Sequence, residues 1–510
     1  MSADVLTMTN LRTLALIAGA LAVFPVSNAI AQEHIQIDAK AAAAPFPHFW
    51  ESMFGSGRAA LALRESYRED LRAVHAVTGF RYVRFHGILH DELGVYNEDE
   101  HGNPFYNFTY IDQIYDGLLK EGVKPVVEIS FMPKKLAFNP DALHPFWYKP
   151  NVSPPKSMER WDGLMKAFAQ HLVQRYGIDE VATWYFEVWN EPNIDFWGGI
   201  PRKESYFELY DHTARDLKSV SPRLRVGGPA TAAAAWIPDF LRFTADNHTP
   251  IDFISSHGYD DEPIERLLGP DQPLRDKDFR EEDHTCAAVA HVRSQIDTST
   301  NPHLPLLWTE WNVPGANEAR DTAYVGPALA EAIRTCDGHV EHLAFWTFSD
   351  VFEEGGPARK PFEGQFGLRA TGGINKPSFY DYALLHHLGF ERIANASKNA
   401  IITKLDDGTL AIALWNLPDP GKPARAEKIT LEFQGLSSNA ALTIARVDDE
   451  HSSALKAYEA LGSPAYPLPT QVQQMNRETA LPPPEKHILD HGTITLDLGK
   501  NALLLVTVDR

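Results

Sequence analysis

The run Trp184-Tyr185-Phe186-Glu187-Val188-Trp189-Asn190-Glu191-Pro192-Asn193 narrows what this chain can fold into more than any other stretch. A β-favouring run from Trp184 to Trp189 ends in an Asn-Glu pair, and Pro192 forbids the strand from continuing. A buried parallel strand reads this way where it delivers a carboxylate to the rim of its sheet. A second run, Leu304 to Pro314, closes in the same manner on Glu310, Asn312 and Pro314. Two strands that each end in Glu place two carboxylates at one cleft, the minimum equipment for splitting a glycosidic bond.

The surrounding sequence alternates short apolar runs with amphipathic ones. Strands are expected at His48–Phe54, Tyr82–Phe85, Pro125–Glu128, Tyr185–Val188, Leu224–Gly227, Phe253–Ser256, Leu306–Thr309 and Leu343–Phe348. Helices fall between them near Glu65–Val77, Tyr110–Leu119, Met158–Tyr176, Glu204–Ser219, Ile237–Asn247, Asp283–Gln295, Ala323–Cys336 and Ser378–Leu388. Eight such pairs predict an α/β fold, a (β/α)8 TIM barrel. The competing doubly wound sheet would show a glycine-rich phosphate fingerprint after an early strand, and Gly55-Ser56-Gly57 lacks its spacing. From about Ile393 short strands and turns predict an accessory all-β sandwich, which the early strand at Ile35–Ile37 can join. The expected divisions are 1–31 as export signal, 32–44 as a strand of the sandwich, 45–390 as the barrel and 391–510 as the sandwich. The Pro-rich segment Ser463–Pro484 reads as a loop or surface strap.

Arg12, the apolar stretch Leu14–Val26 and the small-x-small triplet Ala29-Ile30-Ala31 have the pattern of a cleaved signal, so the mature protein is expected in the periplasm or the medium, without a membrane anchor. A formal charge of −21 argues against nucleic acid as a partner. Oligomeric state is not legible. The two cysteines, Cys286 and Cys336, lack metal-ligand spacing; they could form one disulfide in an oxidising compartment, but the reading is that both are free and buried. No HExxH or CxxC cluster occurs, so neither a catalytic metal nor a cofactor is expected.

Active-site groups of a barrel sit just past its strand ends. Collecting polar residues there gives Arg58, His86, Glu128, Asn190, Glu191, His257, Tyr259, Glu310, Trp346, Glu353 and Glu354. A retaining glycosidase needs one ionised carboxylate and one protonated carboxyl roughly 5–5.5 Å apart. Asn190 suits a sugar 2-hydroxyl, and Tyr259 can hold Glu310 ionised by a hydrogen bond. An ionised Glu310 would in turn raise the pKa of Glu191. His86 and His257 suit sugar hydroxyls or a structural role, Trp346 a sugar face or the core, and Glu353 with Glu354 a hydroxyl-binding pair or a solvated charge run.

The set Gly55-Ser56-Gly57-Arg58, Phe85-His86-Gly87, Trp189-Asn190-Glu191-Pro192-Asn193, Ser256-His257-Gly258-Tyr259, Trp308-Thr309-Glu310-Trp311-Asn312 and Phe345-Trp346-Thr347-Phe348-Ser349-Asp350 resembles glycoside hydrolase family 39, in order from about Phe46 to Leu388. That family holds β-xylosidases and α-L-iduronidases. The resemblance implies Glu191 as general acid/base and Glu310 as nucleophile, with His86, Asn190, His257, Tyr259, Trp346, Glu353 and Glu354 as subsite residues. An iduronide carboxylate calls for Lys or Arg at the site. The loop Tyr259-Asp260-Asp261-Glu262-Pro263 is instead acidic, although Arg58 is a possible partner. The reading is therefore a β-xylosidase acting on small xylo-oligosaccharides. Its rivals are the same mechanism on an arabinoside, glucoside, galactoside or iduronide, and a non-catalytic carbohydrate-binding barrel.

Overall fold

The computed structural model describes residues 31–259, 264–268, 284–315, 317–418 and 425–509. Residues 1–30, which hold all but the last residue of the expected export signal, and the acidic loop from Asp260 to Pro263 lie outside the described residues. Two strands open the description, β1 (Ala31–Asp38) and β2 (Ala43–Pro45). Eight follow as β3 (Met53–Ser56), β4 (Tyr82–Phe85), β5 (Lys124–Ile129), β6 (Tyr185–Val188), β7 (Arg225–Thr231), β8 (Phe253–His257), β9 (Leu306–Trp311) and β10 (His342–Phe345). They are parallel throughout and close into a barrel in sequence order. Helices return the chain between strands, among them α1 (Glu65–Thr78), α2 (Thr109–Lys120), α3 (Met158–Tyr176), α4 (Arg202–Val220), α5 (Ile237–Asp246), α6 (His284–Asp297), α7 (Val325–Cys336) and α8 (Pro377–Leu385). The first strand starts at Met53 rather than His48, because residues 48–52 turn into the barrel.

Alternation along the strands builds the interior in layers. Met53, Tyr82, Val126, Tyr185, Phe253, Leu307 and Ala344 form one buried apolar plug with a residue from seven strands. Two residues further along, on the same inward face, come Gly55, Arg84, Glu128, Glu187, Ser255, Thr309 and Trp346. A polar layer therefore rests on an apolar floor, directly beneath the mouth.

The last strands are β11 (Glu391–Ile393), β12 (Ala400–Lys404), β13 (Leu410–Trp415), β14 (Glu427–Gln434), β15 (Ala441–Val447), β16 (Glu485–Ile488), β17 (Thr493–Leu498) and β18 (Leu503–Val508). One sheet runs β2-β11-β12-β13-β18-β15-β16 and a second runs β1-β14-β17, with Ile402, Leu410, Ile429, Leu431 and Leu504 in the core they share. β1 pairs with β14 in parallel, Ile35 opposite Leu431, so the early strand does join the sandwich.

Two expectations are corrected. Cys286 on α6 and Cys336 at the end of α7 are not free but form a disulfide, because the two helices pack side by side on the barrel's outside. The Pro-rich segment is not wholly loop: α10 (Pro469–Glu478) lies within it, preceded by α9 (Ala454–Ala460). Pro469 takes the first helical position, where a missing N–H costs nothing.

Candidate active site

Glu191 and Glu310 meet over the polar layer. One carboxylate oxygen of each, together with a ring nitrogen of His257, lies within 4.8 Å of the others. Local backbone geometry brings them there. Trp189 and Glu191 take left-handed φ values of 71° and 44°, and the Glu191 N–H donates to Ala230 O at 2.8 Å. On β9, Ser256 pairs with Trp308 but His257 with Glu310, so Thr309 is an extra residue in the register. Such a bulge re-aims the side chains that follow it. Thr309 and Glu310 consequently both reach the interior.

Arg84 is the hub beneath the pair. Fully buried, it donates through Nε to Glu187, through Nη1 to Glu310 Oε1 at 2.6 Å and through Nη2 to Asn190 Oδ1 at 2.9 Å, and Nη2 also lies 2.9 Å from Glu128 Oε2. Its pKa is raised further: burial opposes the charge, and Glu187, Glu128 and Glu310 outweigh burial. Glu310 additionally accepts from Tyr259 Oη at 2.8 Å. Its two oxygens are thus held by a guanidinium and a phenol. Since Asn190 Oδ1 is taken by Arg84, the amide nitrogen is the end left for a ligand hydroxyl.

Glu191 sits in a different environment. Burial pushes its pKa up to about 7 against the pull of His86 and Arg84, and its Oε1 lies 3.0 Å from Nδ1 of buried His257. Burial also lowers His257 to about 4, so this imidazole is neutral at pH 7. His86 behaves oppositely. Burial works against its charge, but Glu128 Oε2 at 2.6 Å from Nδ1 raises it to about 9. Its Nε2 looks toward Glu354 Oε1 at 3.6 Å and Glu310 Oε1 at 3.7 Å. Glu354 is pushed up to about 8, chiefly by burial. One site thus sets Glu310, held by two donors, beside two carboxyls that burial pushes up.

The remaining expected residues are placed as follows. Trp346 is buried, its ring 4.8 Å from His86 and directly over Gly55, where an added Cβ would meet it at 2.1 Å. Glu353 is engaged by Arg58 Nη1 at 3.0 Å and by Arg64, leaving Glu354 as the member of the pair beside His86. Arg58 also makes two bonds to Glu92, of 2.8 and 3.1 Å, and stacks over Tyr148. Reasoning from strand ends missed Arg84, Glu187 and Thr309. A charged or hydroxyl residue two positions past an inward apolar one was the available signal.

A second cluster lies at the opposite end of the barrel. Glu51 Oε1 is 2.5 Å from His48 Nδ1 and 2.9 Å from His386 Nδ1. Ligands of tetrahedral zinc stand about 3.3 Å apart at the usual bond lengths. The contacts fit hydrogen-bonded pairs better than a metal ligand set.

Two carboxyl groups this close, at the C-terminal mouth of a (β/α)8 barrel, define a glycoside hydrolase. Residues 33–487 match the model of Glycosyl hydrolases family 39. A β-xylosidase of Geobacillus stearothermophilus is 37% identical over 486 residues, covering 91% of this chain and 93% of that protein. One from Caldicellulosiruptor saccharolyticus is 34% identical over 477 residues, covering 90% and 95%. The solved structure of a family 39 β-xylosidase from Caulobacter crescentus superimposes with a TM-score of 0.80 at 34% identity, covering 94% of this chain and 100% of that one. This chain belongs to glycosyl hydrolases family 39 and is a glycosidase.

Proposed function

We propose that the protein is an exported retaining exo-β-xylosidase that releases β-D-xylose from xylo-oligosaccharides, with Glu191 as general acid/base and Glu310 as nucleophile. The observation that carries this is the Glu191–Glu310 approach within 4.8 Å, a spacing with no room for the water an inverting pair must hold between its carboxyls. Opposed environments divide the roles. Glu310, bonded to Arg84 and Tyr259, attacks the anomeric carbon as Glu191 passes its proton to the leaving oxygen. A covalent xylosyl-enzyme results. Water then loses a proton to Glu191 and attacks the same carbon, freeing Glu310 and returning the β configuration. The Asn190 amide nitrogen bonds the 2-hydroxyl, and His86, Glu354 and Trp346 bind the rest of the ring.

A neutral pentose is supported by Arg58, whose guanidinium is engaged by Glu92 and Glu353 rather than offered to a sugar carboxylate. The activity named for the two relatives points the same way. Exo action is supported by the loop between β5 and α3, which joins the far wall through Trp147 N–H and Glu354 O at 2.8 Å.

Release of p-nitrophenol from a panel of aryl glycosides tests the reading. Activity should be confined to the β-xyloside and fall by about 10³-fold or more in Glu310→Ala. Preference for an iduronide or hexoside would overturn the substrate but keep the mechanism; a fully active Glu310→Ala would overturn the mechanism.

A further inference from the structure

His257 is held between two oxygens, and the direction of each hydrogen bond follows from the far end of the chain of contacts. Glu187 is fully buried on β6 and takes the Arg84 Nε–H on Oε2. A carboxylate in such a pair only accepts. Thr309 Oγ1, 2.8 Å from Glu187 Oε1, must therefore donate to it. With its one proton committed, the Thr309 oxygen can only accept from His257 Nε2, 3.1 Å away. A neutral imidazole with its proton on Nε2 presents a lone pair at Nδ1. That lone pair faces Glu191 Oε1 at 3.0 Å, which is a hydrogen bond only while Glu191 carries a proton.

We infer that Glu187 and Thr309 are positioning residues that fix the Nε2–H tautomer of His257 and thereby hold Glu191 in its acid form before each cleavage. The inference rests on the reading of Glu191 as general acid/base. Once Glu191 gives its proton to the leaving oxygen, its carboxylate confronts the His257 lone pair, and the two repel. Taking a proton from the incoming water restores the bond. His257, Thr309 and Glu187 end the cycle with the protons they began with.

Other groups also bear on Glu191. Arg84 on β4, His86 just past its end and Arg266 on the helix Ile264–Leu268 favour its anion, while Glu128 on β5 opposes it and Glu310 on β9 lies within 4.8 Å of it. Glu310, Glu187, Arg84 and His86 likewise surround His257. Among these, the relay acts through hydrogen-bond direction rather than through charge.

Two measurements on the full chain test it. In 15N-histidine-labelled enzyme at about pH 6, with His257 assigned by its missing signals in His257→Gln, Nε2 should be protonated and Nδ1 bare. A protonated Nδ1 overturns the inference. Thr309→Val removes the hydroxyl and frees the other tautomer to donate to ionised Glu191. The alkaline limb of kcat/KM should then move down by about one pH unit, and Thr309→Ser should restore it. An unmoved limb in folded Thr309→Val, or an equal shift in Thr309→Ser, overturns it. Should Thr309→Val not fold, the labelled wild-type enzyme decides alone. Glu191→Gln separates the two readings: undiminished activity on a poor leaving group sinks the acid/base role, whereas an inactive Glu191→Gln beside a protonated Nδ1 sinks only the relay.

Discussion

Arg84 shows how one side chain sets the terms for its neighbours. Its planar fork reaches Glu187, Glu310, Asn190 and Glu128 at once, which a lysine's point charge cannot do. Removing it leaves three buried carboxylates without their shared cation, and breaking a buried pair in this way costs roughly 3–5 kcal/mol. Arg84→Met should lower unfolding stability by about that much at neutral pH. The deficit should shrink as pH falls through the carboxylate range, because protonated carboxyls no longer need the cation. Denaturant titrations of both proteins across that range would decide the point, and a deficit independent of pH would show that lost packing, not charge, is the cause.

Elements carry the site by their alternation. Tyr82, Val126, Tyr185 and Leu307 seal the floor, and the residues two further on, Arg84, Glu128, Glu187 and Thr309, form the polar layer. The Cys286–Cys336 bridge fastens α6 to α7 outside this barrel, closing a segment 50 residues apart in sequence. Bridges over such loops contribute typically about 2–4 kcal/mol. Reduction should lower the denaturation midpoint accordingly while leaving kcat under native conditions intact, since neither cysteine touches the mouth. An unchanged midpoint would mean the bridge adds nothing to the helix packing. The eight strands and both strand-end glutamates were legible because apolar runs, Pro192 and Pro314 mark them in the linear sequence. The bridge was not, because pairing depends on which helices become neighbours. Nor was the relay: Glu187 and Thr309 lie inside their strands, where only the inward face, and not the strand end, reveals a polar residue's use. The helix at Pro469–Glu478 was hidden because Pro read as a breaker rather than as a first-turn residue.

The whole molecule's response to pH follows from two sets of shifted groups. His86, raised to about 9, Glu354 to about 8 and Glu191 and Asp70 to about 7 bind protons more tightly when folded than when unfolded. Their contribution is complete below the unfolded values and is lost as pH rises through the folded ones. His257 and His144, lowered to about 4, and His342, lowered to about 3, act the other way. Their contribution is complete above the unfolded histidine value of 6.5 and is lost as pH falls toward the folded ones. Below 6.5 the two sets oppose each other. Above it only the first still titrates, so the unfolding temperature should fall steadily from about pH 6.5 to about pH 9. Over that interval His86 contributes throughout, whereas the contribution of Glu354 ends near pH 8. Calorimetry at half-unit steps would trace the decline, and Glu354→Gln should make its lower half shallower while leaving the upper half to His86. A flat or rising unfolding temperature across that window would mean that these protons are bound no more tightly in the folded protein, and that the protonated carboxyls assigned to the mouth are ionised there after all.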